Sequence, residues 1–294
     1  MKKEFMIPGL IGNAASLGVH WIYDVNYLAT LSKKQSLLFC RQEKKRYDDA
    51  HPSFYAYPKS VVGDVSVQGD IMIWLFEALK ANPSLSQDDY RRLLYDQFKP
   101  GGTYRGYVEI YAKQMVHKII SKELRLSETL EMKDHHLVNF IPYFVCKVFD
   151  MNIDKAWDLA KVFTNDQTFL EFYRLFDALI LAIPSKGKEA FVDGIKLAPK
   201  AYQVPLTKAI EMTDTNQFIE AYAGRACGVD QALPLIYHLL YHAKTFEEAI
   251  ERNALMGGAS ADRAIVIGVL MHFFDKVPKD WVDKVKPLIQ RIEQ

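Results

Sequence analysis

Apolar residues recur along this chain with the period of a helix. From Val67 they fall at Ile71, Trp74, Leu75, Ala78 and Leu79, one face of an α-helix that Asn82-Pro83 ends. Ser86 is a candidate N-cap for a helix from Gln87 to Phe98, with Asp88 and Asp89 in its first turn, where the backbone dipole favours negative charge. Lys99-Pro100-Gly101-Gly102 breaks the chain. Val108, Tyr111, Ala112, Met115 and Ile119 resume the pattern in a helix predicted over Tyr104 to Ser121. Further helices are predicted at 135–149, 154–163, 166–183, 186–198, 214–223 and 229–243. Thr245-Phe246-Glu247-Glu248 is a capping box opening a helix to Met256, and Pro278 suits the start of the last one. Only Ser60 to Val67 tempts a strand assignment. Ala264 to Leu270 is apolar on every face, the mark of a buried central helix, and Gly268 within it lets a neighbour come close.

Composition narrows the picture. The chain has 294 residues, enough for two domains of about 150. Glycine and proline are scattered singly and no linker or repeat is visible, so one all-α domain over 1–294 is expected. Hydrophobic residues are 49% and charged residues 25%, a globular balance that excludes disorder and coiled coil. Thirty-seven basic against 36 acidic residues leave a net charge of +1, no reason to expect a nucleic acid or an anionic membrane as partner. Cys40, Cys146 and Cys227 lie far apart without a CxxC pair, a poor framework for disulfides or zinc. The first residues faintly resemble a secretion signal, but Glu4 and Pro8 interrupt it. No stretch reaches the roughly 20 apolar residues of a membrane span. A cytoplasmic location is the expectation.

Two turns carry candidate chemistry. Gly257-Gly258-Ala259-Ser260-Ala261-Asp262 feeds the N-terminus of the apolar helix, where unpaired N–H groups can receive a phosphate or sugar hydroxyl. The competing reading is a plain helix stop followed by a serine cap. Asp70 stands in the first turn of the helix from Val67, where an aspartate often serves only the dipole. His238 and His242 share a helix face without a third metal ligand, and a partly exposed face is the expectation. His135-His136 is expected to be a surface pair, with pocket lining as the alternative. Lys44-Lys45-Arg46 is expected to be solvated.

Taken together these segments match a family pattern. Gly12-Asn13-Ala14-Ala15-Ser16-Leu17-Gly18, Val19-His20-Trp21-Ile22-Tyr23-Asp24, Gly63 to Asp70, and Gly101-Gly102-Thr103-Tyr104-Arg105-Gly106-Tyr107 occur in order. Ala232-Leu233-Pro234, Phe246-Glu247-Glu248-Ala249 and Asn253 then lead into Gly257-Gly258 and Ser260-Ala261-Asp262-Arg263-Ala264. In these motifs the chain resembles the ADP-ribosylglycohydrolase family from about Pro8 to Trp281, in a branch near its lens-crystallin and bacterial members. The resemblance implies a single compact orthogonal helical bundle and cleavage of an N- or O-glycosidic bond to ADP-ribose. In active members it also implies two Mg²⁺ ions held by clustered carboxylates.

The departures bear on function. The family's early Thr-Asp-Asp-Thr corresponds to Gln68, Gly69, Asp70 and Ile71, and its late aspartates correspond to Ala259 and Ala261. The early glutamate falls near Ile22, and the glycine-rich substrate loop is Asp134-His135-His136-Leu137. Asp70 and Asp262 alone are too few for a binuclear Mg²⁺ site, so no metal centre is expected, with a single weakly held Mg²⁺ left open. Three expectations remain. The first is a metal-independent hydrolase with Asp70 and Asp262 as acid and base. The second is a module that binds an ADP-ribose-like ligand or an ADP-ribosylated protein through Gly257, Gly258, Ser260, His20, Trp21, Tyr104 and Tyr107. The third is a structural protein.

Overall fold

A computed structural model describes residues 1–125 and 131–293. Among these there are seventeen α-helices and no strand. The first eight are α1 (Ile7–Ser16), α2 (Val25–Ser32), α3 (Lys44–Asp49), α4 (Val67–Ala81), α5 (Gln87–Phe98), α6 (Ile110–Glu123), α7 (Ile141–Val148) and α8 (Ile153–Ala160). Then follow α9 (Thr168–Lys186), α10 (Glu189–Gly194), α11 (Lys200–Glu211), α12 (Thr215–Tyr222), α13 (Val229–His242), α14 (Phe246–Leu255), α15 (Ser260–Met271), α16 (Lys279–Lys284) and α17 (Lys286–Glu293). The fold is all-α.

Caps act where the sequence places them. The Ser86 hydroxyl accepts from the Asp89 amide at 3.1 Å, and the Thr245 hydroxyl from the Glu248 amide at 3.1 Å. α15 is buried along its whole length. α1 lies antiparallel against it, because Gly9 and Gly12 leave no side chain between the two backbones. A Cβ on Gly9 would sit 2.7 Å from the Ile265 carbonyl oxygen, and one on Gly268 would sit 2.4 Å from that of Pro8. Buried apolar residues from Phe5 to Ile292 form one contiguous core around this pair. Leu17, Tyr57 and Ala261 make a separate small cluster where α15 begins.

Several sequence expectations are corrected. Ser60 to Ser66 forms turns and Val67 already opens α4, since the Asp64 carboxylate accepts from the Val61 amide at 2.8 Å and the Ser60 hydroxyl donates to the Tyr57 carbonyl at 2.9 Å. α6 starts at Ile110, six residues later than predicted. Tyr104 instead folds back edge-on to Trp74 and Phe98, at 5.6 and 5.4 Å between ring centres, and holds 101–109 as a loop. The segment 186–198 is the end of α9, a turn at Gly187, the short α10 and a 3₁₀ turn. α2, α3 and α11 carry too little apolar periodicity to stand out, and Pro205 lies inside α11. Arg46 is buried, donating to the Gly18 and Arg41 carbonyls. His238 is buried too; His238 and His242 face the same Ala209 carbonyl oxygen at 2.9 and 3.1 Å, so the pair ties α13 to α11.

Candidate functional site

The turn before α15 is used by the protein itself. Gly257 and Gly258 adopt φ of +68° and +64°, and a Cβ on them would meet the Ile22 and Arg225 carbonyl oxygens at 2.4 and 2.1 Å. The Gly258 amide donates to Ile22 O at 2.7 Å, the Ala259 amide to Arg225 O at 2.8 Å, and the Ser260 hydroxyl to Ser16 O at 3.3 Å. The guanidinium of Arg263, fully buried, donates to the carbonyls of Gly257, Arg225 and Asn253 and to the Asn253 side chain. Gly257, Gly258 and Ser260 thus bind neighbouring backbone, and the Gly257, Gly258, Ala259 and Ser260 amides already have acceptors.

What gathers at the helix end is a polar cluster. The Ala261 amide donates to Nδ1 of His20 at 3.1 Å, so Nδ1 is the bare nitrogen and the ring proton sits on Nε2. Burial, with the nearby Arg263 charge, lowers the His20 pKa to about 3, and the ring stays neutral. Its Nε2 lies 3.8 Å from Oδ2 of Asp262. Oδ1 of Asp262 accepts from the Ser66 hydroxyl at 3.2 Å, and Asn13 pins Ser66 and the Ala261 carbonyl together, at 2.8 and 2.9 Å. The third member is Glu109, buried at the N-cap of α6. Each of the three offers an atom within 4.8 Å of the others. Among the described residues, His20 Nε2, Asp262 Oδ2 and Glu109 Oε1 are all buried without a hydrogen-bond partner. Burial lifts the Asp262 pKa to about 7, against the opposing pull of Ser66, Arg263 and His136. Burial and the charges of Asp262 and Asp134 push that of Glu109 well above the usual carboxyl range. Two carboxyls this close in a low dielectric share one negative charge.

Aromatic rings roof the cluster. Trp21, at φ +67°, stacks on His20 with ring centres 4.8 Å apart, and Tyr107 meets Trp21 edge-on at 5.1 Å. Two cavities flank the roof. One of about 810 Å³ is lined by Tyr57, Asp70, Tyr104, Arg105, Tyr107 and Arg291. The other, of about 530 Å³, is lined by Trp21, Tyr23, Phe54, Tyr107 and Cys227 among others. Ala56 and Tyr107 border both.

No family model matches the chain, and no curated protein matches it.

The structure therefore sorts the sequence candidates. His20 and Asp262 come together, and Trp21 and Tyr107 lie over them. Asp70 lies in the larger cavity with Arg291 and Asp64 near it, and burial lifts its pKa to about 7. The carboxyl facing Asp262 is Glu109, which the sequence reading placed inside a helix and passed over. His135 and His136 are partly exposed, and the His136 Nδ1 lies 2.6 Å from the buried Asp134 carboxylate. The Cys146 thiol is pushed up to about 12 by burial and that of Cys227 higher still, so neither is a ready nucleophile.

The donor set does not fit the paired Mg²⁺ that the resemblance implies. His20 presents an N–H at Nε2, which cannot donate electrons to a metal. Ala259 and Ala261 are fully buried and bring no side-chain oxygen. Two carboxyls with raised pKa values remain, short of the near-octahedral oxygen set that each Mg²⁺ demands.

Proposed function

We propose that the chain is a glycosidic-bond hydrolase of the ADP-ribosylglycohydrolase kind that works without a binuclear metal centre, with Glu109 and Asp262 as its acid and base. One observation carries this reading: two buried carboxyls with unpartnered oxygens converge on a buried imidazole N–H. Nothing in the core repays leaving three such atoms without partners, each at a cost of about 1–3 kcal/mol. Groups of this kind take up water or a substrate hydroxyl.

In this mechanism Glu109 starts protonated and Asp262 ionised. Glu109 gives its proton to the leaving atom as the bond to the anomeric carbon breaks. Asp262 takes a proton from the water that attacks that carbon, while His20 Nε2 donates to the water oxygen. The proton on Asp262 then passes to Glu109, and the pair is restored. Asp70, Tyr104 and Arg291 in the larger cavity hold the rest of an ADP-ribose-like or ribosyl ligand. Tyr107, 39% exposed, is the side chain whose rotation joins cavity and cluster.

Release of ADP-ribose from an ADP-ribosylated protein or small ribosyl compound, assayed in chelator and again in Mg²⁺, tests this. Equal rates are expected in both, with Glu109→Gln and Asp262→Asn each slowing release about 10²–10⁴-fold. Asp70→Asn should raise KM more than it lowers kcat. Release that requires Mg²⁺, or that survives both carboxyl changes, refutes the reading. A second reading is a ligand-binding protein without turnover. It is favoured by the fact that neither Glu109 nor Asp262 is among the residues lining the two cavities. Calorimetric binding of ADP-ribose with no product release would select it.

A further inference from the structure

Asn13 and Ser66 have no part in the mechanism above, yet both are fully buried against its carboxyl pair. Asn13 comes from α1, and Ser66 is the N-cap residue of α4. A serine in that place ordinarily accepts from an amide of its own helix, and the Ser66 hydroxyl makes no such bond. The Val67 amide donates instead to the Tyr57 hydroxyl, at 3.2 Å. Ser66 Oγ is turned to Asp262 at the start of α15, and reaches its Oδ1 at 3.2 Å.

Backbone groups fix the direction of each proton along this chain of contacts. The Ser66 amide can only donate, so the Asn13 atom 2.7 Å from it is the side-chain oxygen. The other arm of Asn13 is therefore its NH₂. One proton goes to the Ala261 carbonyl oxygen, which can only accept, at 2.9 Å, and the other to Ser66 Oγ at 2.8 Å. Ser66 has one proton of its own, and Asp262 Oδ1 receives it. Ala261 completes the arrangement. Its carbonyl anchors Asn13 while its amide donates to His20 Nδ1 at 3.1 Å, which leaves the His20 N–H on Nε2, 3.8 Å from Asp262 Oδ2.

We propose that Asn13 and Ser66 are positioning residues that make Oδ2 the working oxygen of Asp262. A proton on Oδ1 would point at the proton of Ser66, so Oδ1 stays an acceptor and the acid proton of Asp262 is confined to Oδ2. That is the oxygen beside His20 Nε2, without a partner among the described residues, in the group that includes Glu109. The proposal rests on the Glu109–Asp262 reading of the site. In the hydrolytic step the proton of the attacking water lands on Oδ2 and leaves from there to Glu109, while Asn13 and Ser66 exchange none. Neither residue lines a cavity, so both act on the carboxyl and not on ligand binding.

Infrared difference spectra of the full chain, recorded on either side of the Asp262 titration, test this without any substrate. They read the carbonyl stretch of the protonated acid, and its loss in Asp262→Asn assigns the band. The unmodified protein should give one band, lowered in frequency because the carbonyl oxygen Oδ1 accepts from Ser66. Ser66→Ala should raise the frequency, and Asn13→Ala should split the band as the freed Ser66 hydroxyl turns. A merely structural role would lower the stability of both variants and leave the band in place. An unmoved band in Ser66→Ala, or a single unmoved band in a folded Asn13→Ala, overturns the proposal; if Asn13→Ala does not fold, Ser66→Ala still decides. Where the chain turns over substrate, Ser66→Ala should lower kcat about tenfold with KM unchanged, and an unchanged kcat also overturns it. Absence of turnover in the unmodified chain defeats the hydrolase reading while the infrared band still decides this one.

Discussion

The two ends of α15 are equally buried and built in opposite ways. At the C-terminal end, Gly268 meets the backbone of α1 and the surroundings are aliphatic, so packing alone decides stability. At the N-terminal end, Asp262, Arg263, His20 and Glu109 crowd the same helix, and stability depends on which hydrogen bonds and charges are satisfied. Both ends resist added volume, but only the second also depends on polarity. A helix can thus be an apolar core element for most of its length and carry a buried polar cluster at its tip.

The largest effect is expected at the polar end. Arg263→Leu strips donors from the carbonyls of Gly257, Arg225 and Asn253, and should cost about 3–5 kcal/mol in urea-derived stability. A loss under 1 kcal/mol would show that the clamp is dispensable. Gly268→Ala tests the apolar end. Its Cβ would sit 2.4 Å from a backbone oxygen that can yield only if α1 moves, so a loss of about 1–3 kcal/mol is expected, and no loss would mean the helices are not held in contact.

Asp262→Asn should go the other way. The folded-state pKa of Asp262 is raised to about 7, so the folded chain binds its proton more tightly than the unfolded chain does. Its contribution is therefore complete below the ordinary carboxyl range near pH 4 and is lost as pH rises towards 7. Melting curves at pH 4 and pH 7.5 should show the variant gaining on the unmodified protein by up to a few kcal/mol at the higher pH. A gap independent of pH would mean that burial does not perturb this group. The smallest change is Ser66→Ala, which removes the hydroxyl between Asn13 and Asp262. About 1 kcal/mol of stability should go, and the midpoint of the Asp262 titration, followed by NMR of the carboxyl carbon, should move upward.

Much of the architecture was legible from the chain. α4, α5 and α14 show an apolar stripe together with a cap or an acidic first turn, and those local signals act alone. The central helix was legible because a run apolar on all sides has nowhere to go but inside, and Gly268 announced a close neighbour. The candidate cluster was only half legible. Asp262 and His20 stood in recognisable motifs. Glu109 did not, because the apolar period on both sides of it reads as continuous helix back to Tyr104, and only the docking of that ring on Trp74 and Phe98 breaks it. Only the family resemblance pairs Asp70 with Asp262. Which carboxyl faces which is decided by tertiary packing, and no local pattern encodes it. Arg46 and His238 were misjudged for the same reason: charge and polarity suggest solvent, and only the assembled core supplies the carbonyls that bury them.

The antiparallel contact between α1 and α15 has a consequence for how the molecule is made. Ser16 and Ser260 touch although 244 positions separate them in sequence. During synthesis α1 leaves the ribosome long before α15, its glycine-matched mate. Until then its apolar flank has no native cover, so the nascent chain should lean on chaperones, and pairings this remote slow the final collapse.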